Sequence, residues 1–178
     1  MFFRKKSVKF LCEGTAMDKK FSVFEILEIA ERIENNAARF YLKASELYDD
    51  LQLRDIYSKL ANWRAKHEKI LTRRRKDYSE KTGALGTFDP NDYVLSNPEV
   101  MAGLTWLGSK TDPAKGLTGH ETKIEILHDA IKRADEVIAF YDGLKDFARD
   151  PEGVRAIDKI IEDEKQNIRL LTAQLEQK

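Results

Sequence analysis

The chain has 178 residues, with 31 Lys plus Arg balanced by 31 Asp plus Glu, so no net field draws it to nucleic acid or to an anionic membrane surface. That length suits one domain with a sizeable core. A lone Cys12 excludes an intramolecular disulfide framework and a Cys-x-x-Cys metal knot, which fits the cytoplasm, and no run approaches the roughly 20 apolar residues of a membrane span.

Residues 1–20 are basic and patternless at their start, and Lys9 and Glu13 interrupt any apolar centre of a secretory signal. They are expected to be a disordered tail ahead of one domain over 21–178. From Phe21 to Tyr48 the apolar residues Phe24, Leu27, Ala30, Ile33, Ala37, Phe40, Tyr41, Ala44 and Leu47 recur every three or four positions, predicting a long helix with one broad buried face. Ser22 followed by Glu25 has capping-box spacing and marks its start. Glu34 falls on the inward seam of this helix, seven residues after Leu27.

After a link near Asp49 to Gln52, a second helix is predicted to about Tyr78. Its inward stripe reads Leu53, Ile56, Leu60, Arg64, His67, Leu71, so an arginine and a histidine point where apolar side chains belong. Residues 79–120 hold most of the glycines and three of the four prolines, and only Asn97 to Leu107 has helical character, with Pro98 suited to a first turn and Met101 and Trp106 to packing. About 40 residues is far more than adjacent antiparallel helices need, so this segment is read as a crossover running the length of a bundle.

The second half then repeats the first at a spacing of 100. Glu25-Ile26-Leu27 aligns with Glu125-Ile126-Leu127, Phe40-Tyr41 with Phe140-Tyr141, Lys59 with Lys159 and Leu71-Thr72 with Leu171-Thr172, with no gap. The predicted architecture is all-α: two helical hairpins, 21–78 and 121–177, related by a pseudo-twofold and packed as a four-helix bundle. In this register Ala134 answers Glu34, Glu164 answers Arg64 and Asn167 answers His67.

The run ERIENNAARFY, the helix LANWRAKHEKIL and their counterparts in the second half resemble the ferritin-like superfamily and, within it, the rubrerythrin-type di-iron proteins. The resemblance covers about Phe21 to Gln177. It implies a site built from one Glu on each of the first and third helices and a Glu-x-x-His on each of the second and fourth. Residues three apart share a helix face, so a carboxylate and an imidazole can reach the same ion. Carried over position by position, Glu34, His67 and Glu164 keep the pattern, while Arg64, Ala134 and Asn167 replace two carboxylates and an imidazole.

With so little negative charge left, a full di-iron centre is not expected. Two readings stay open. In one, the guanidinium of Arg64 pairs with Glu34 and Glu164, no metal is bound, and the bundle is a non-catalytic interaction or scaffold unit. In the other, Glu34, His67 and Glu164 hold a single iron, manganese or zinc ion with water completing the shell. The resemblance then implies an oxidoreductase acting on peroxide or oxygen, with electrons from a separate donor protein. The first reading is preferred. Glu31 and Asp135 flank the seam as solvated groups or replacement ligands, His120 and His128 are expected to face water, and Asp163 and Glu162 read as surface charge. A homodimer is expected.

Overall fold

A computed structural model describes residues 21–84, Ala102 and residues 116–176. Four α-helices run in these parts: α1 (Val23–Ser45), α2 (Leu51–Thr82), α3 (Lys123–Leu144) and α4 (Pro151–Glu176), with a 3-10 turn, Lys145–Phe147, between the last two. The fold class is the predicted one, all-α, with α1 packed on α2, α3 on α4, and α1 against α4. The tail over 1–20 and nearly all of the expected crossover helix, with Met101 and Trp106, lie outside the described residues. Ala102 is helical and buried.

Both hairpins begin with the same device. The Ser22 hydroxyl accepts from the Glu25 amide while the Glu25 carboxylate accepts from the Ser22 amide at 2.8 Å, and Thr122 with Glu125 repeats the arrangement at 2.7 Å. Each box satisfies two amides that a helix start leaves without partners. The buried faces also correspond, Ile26, Leu27 and Ala30 to Ile126, Leu127 and Ala130. Phe40 meets Tyr41 edge-on at 5.4 Å and Phe140 meets Tyr141 at 5.5 Å, so the repeat extends to side-chain packing.

Helix limits differ from expectation where capping overrides periodicity. α1 stops at Ser45, so Leu47 lies beyond its end, 37% exposed rather than on the buried face. Asp50 accepts from the amides of Gln52 and Leu53, so α2 starts at Leu51 and the link is Glu46–Asp50. At its other end α2 passes Tyr78 and runs to Thr82, where Gly83 at φ 67° closes it in the left-handed conformation that glycine adopts without strain.

The hairpins are fastened to one another reciprocally. Phe21, just before α1, donates to Phe147 O (2.6 Å) and accepts from the Arg149 amide (2.8 Å), on the link of the second hairpin. At the equivalent place Glu121, just before α3, accepts from the hydroxyl of Tyr48 on the first hairpin's link, and also from the amides of Thr118 (2.7 Å) and Gly119 (3.1 Å). Gly153 lets α4 approach α1, since a Cβ there would stand 3.1 Å from Ile26 Cδ1 and 3.2 Å from Ala148 Cβ. Between these fastenings, one level of the core gathers buried charged side chains from three helices.

Candidate functional site

That level holds Glu34 of α1, Arg64 and His67 of α2, and Glu164 of α4, all buried: Glu34 and Glu164 are 0% exposed, Arg64 1% and His67 5%. The helical stripe that pointed Arg64 and His67 inward is the observed one, with Leu60 and Leu71 buried on either side. Arg64 Nη1 donates to Glu34 Oε1 (3.1 Å) and Oε2 (3.3 Å) and to Glu164 Oε1. His67 Nδ1 lies 3.2 Å from Glu34 Oε1 but is not aligned for a hydrogen bond, and Nε2 lies 3.3 Å from Asp163 Oδ2. Asp163 is therefore not free surface charge: it is a quarter exposed at its side chain and joins His67 to Arg74, whose Nη1 is 3.0 Å away.

The electrostatics follow from burial and neighbours. Burial pushes the Glu164 carboxyl up, to about 7, against the pull of Arg64 and with the Glu34 charge adding to the rise. Burial also opposes ionisation of Glu34, yet Arg64 and His67 together hold it below its usual value. Arg64 is held still more firmly in its charged form, the attraction of Glu164 and Glu34 outweighing burial. His67 rises above its usual 6.5 because Glu34, Glu164 and Asp163 outweigh its burial. With both carboxylates ionised the pair carries two negative charges, of which Arg64 cancels one.

The structure brings together four of the predicted positions. Ala134 is fully buried and supplies no donor, and Asn167 is buried one turn beyond Glu164. Glu31 is an edge group, bound to Arg75 in a two-pronged pair at 2.5 and 2.9 Å. Asp135, His120 and His128 are exposed as expected, and Glu162 pairs with Arg169 on the surface.

Sequence reasoning passed over three contributors. Trp63 lies across the cluster, its ring 4.7 Å from the Arg64 guanidinium and 5.1 Å from the His67 ring. Its spacing of four from His67 was the available signal. Tyr41 and Tyr141, equivalent by the repeat, are buried with hydroxyls that lack a hydrogen-bond partner; burial pushes Tyr41 up to about 12 and Tyr141 up as well. Their companions in that state, among the described residues, are His67 Nδ1 and Glu164 Oε2.

Glu34, His67 and Glu164 form a buried group able to hold a metal ion, each offering one ligand atom, all within 4.8 Å of one another. Three ligand residues are a short donor set for two irons. Their charge would meet two carboxylates already shared with a guanidinium, and positions 64, 134 and 167 give no further anionic or imidazole donor. One divalent ion fits the donor set, since His67 Nδ1 and Glu164 Oε2 accept or donate no hydrogen bond, provided Arg64 Nη1 leaves Glu34 Oε1.

No protein-family model matches the chain, and no curated protein matches it. Among solved structures it is similar to a 2.30 Å crystal structure from Thermotoga maritima, provisionally named a ferritin-like diiron-carboxylate protein. The two share 21% identity over 89% of this chain and 97% of that one, with a TM-score of 0.47. At that level the likeness says nothing about which side chains stand in the core. No helix among the described residues is long and apolar enough to cross a membrane.

Proposed function

We propose that this chain is a ferritin-like bundle of rubrerythrin type in which an arginine has taken the place of the metal centre, leaving a non-catalytic interaction or scaffold unit. The supporting observation is Arg64, 1% exposed, with one nitrogen bonded to both Glu34 and Glu164. A guanidinium at that depth supplies permanently the positive charge that the two carboxylates require, with no ion to lose. The same reading has the chain in the cytoplasm as a homodimer. Elemental analysis of protein purified without chelators tests it: far less than one transition metal per chain is expected, and one tightly held iron or manganese per chain overturns it.

A second reading is favoured by two ligand atoms that lack a hydrogen bond, His67 Nδ1 and Glu164 Oε2. There, Glu34, His67 and Glu164 hold one iron or manganese, which supplies redox chemistry toward peroxide or oxygen, with a separate protein as electron donor. The two readings part on the metal content of native material and on whether peroxide is consumed with an external reductant.

A further inference from the structure

Beside the cluster, between α2, α3 and α4, lies a partly open pocket of about 170 Å³, lined by Lys59, Leu60, Trp63, Leu127, Asn167 and Leu171 among others. Its lining includes Asn167, one departure from the ligand pattern, and Trp63, whose ring packs on the other, Arg64. Trp63, which carries the Arg64 guanidinium at 4.7 Å, forms one wall, and Asn167, 4% exposed, forms another. The hold on the guanidinium is narrow: its hydrogen bonds to Glu34 and Glu164 all leave from Nη1, so a turn of the side chain's end releases them together. Glu34 Oε1 lies 3.1 Å from that nitrogen and 3.2 Å from His67 Nδ1, so an ion bridging this oxygen and this imidazole meets the guanidinium head-on. Two cations at such separation repel strongly in a dry interior, and one must leave.

We propose that Arg64 is an exchangeable occupant of a divalent-cation site: when Glu34, His67 and Glu164 take up one ion, the guanidinium swings past Trp63 into the neighbouring pocket, where the amide oxygen of Asn167 receives it. The inference rests on the arginine-core reading for the resting state and adds its regulation. Two substitutions become one device, with arginine at 64 supplying the plug and asparagine at 167 its second seat. A guanidinium has only donors, and asparagine offers it an amide oxygen where a protonated histidine would offer no acceptor. Cation binding is weakened by the work of displacing the plug and is reported at the half-buried indole of Trp63.

The test titrates Zn²⁺, which does not itself quench indole emission, into a Trp106→Phe chain, where Trp63 is the remaining one of two tryptophans. One equivalent should bind with a change in Trp63 emission. Arg64→Met, which removes the plug and keeps the packing, should tighten binding at least about tenfold and abolish the emission change, while Glu164→Gln should prevent uptake. Asn167→Leu, made in a chain that keeps Arg64, should weaken Zn²⁺ binding at least about threefold. Native-like binding with no response from Trp63, or an unchanged affinity in Asn167→Leu, overturns the exchange, as does a folded Arg64→Met chain that binds no tighter than the native one. A full equivalent of metal in native material instead overturns the arginine-core reading, so the two failures are separable.

Discussion

Replacing Arg64 by alanine strands Glu34 and Glu164, both 0% exposed, beside one another with no cation between them. Truncating one member of a buried charge cluster costs about 3–5 kcal/mol, because the charges left behind remain out of water. In a protein of this size that corresponds to a melting midpoint roughly 10 °C lower. Urea denaturation followed by circular dichroism at pH 8 measures it directly. The deficit should narrow at pH 4.5, where the stranded carboxylates can take up protons. The chain carrying Glu34→Gln, Arg64→Met and Glu164→Gln together, with no charge left to strand, should recover most of the loss. A loss of less than about 1 kcal/mol at pH 8 would refute the reasoning, since it would mean the guanidinium is not what offsets the charge of those carboxylates.

The cluster also fixes a pH dependence. Glu164, raised to about 7 from 4.5, binds a proton in the folded chain that the unfolded chain has released, so stability should fall as pH rises from 4.5 to 7. His67, also raised, contributes stability that is fully present below 6.5 and lost as pH climbs through its folded value; Glu164→Gln should flatten the first part of the fall in calorimetric scans and shrink the second, since Glu34 and Asp163 still raise His67 but Glu164 no longer does. Arg64→Glu, Ala134→Glu and Asn167→His made together should restore binding of two irons with an oxo-bridge absorption band, and a folded chain without that band would contradict the repeat register. Ser22→Ala and Thr122→Ala should each cost about 1 kcal/mol in denaturant titrations, the equality reflecting matched capping boxes.

Much of this molecule was legible because its signals are local and repeated. The three-and-four spacing of Leu60, Arg64, His67 and Leu71 set their common face, and the gapless repeat located Glu164 opposite Arg64 before any contact was known. Asp163 was misread because its role depends on how α2 and α4 meet. Residue 163 sits about 100° around the helix from Glu164, and only the approach of His67 and Arg74 decides whether that direction faces water or a partner. Leu47 was assigned to the α1 face on periodicity, which continues past the point where Asp50 caps the next helix. The capping box at Thr122 and Glu125 could have been found from Ser22 and Glu25 by the same offset of 100.

The two crossed fastenings, Phe21 to the strip around Ala148 and Glu121 to Tyr48, lie at opposite poles of the bundle. Neither hairpin thus has a loose pole from which a scissor-like opening can begin, and the Arg64 cluster ties the waist. Prying the halves apart means breaking both poles in concert, so amides flanking the polar layer should exchange with solvent only through whole-molecule unfolding. Motion that serves the buried residues must be carried by side chains rather than by hinged helices.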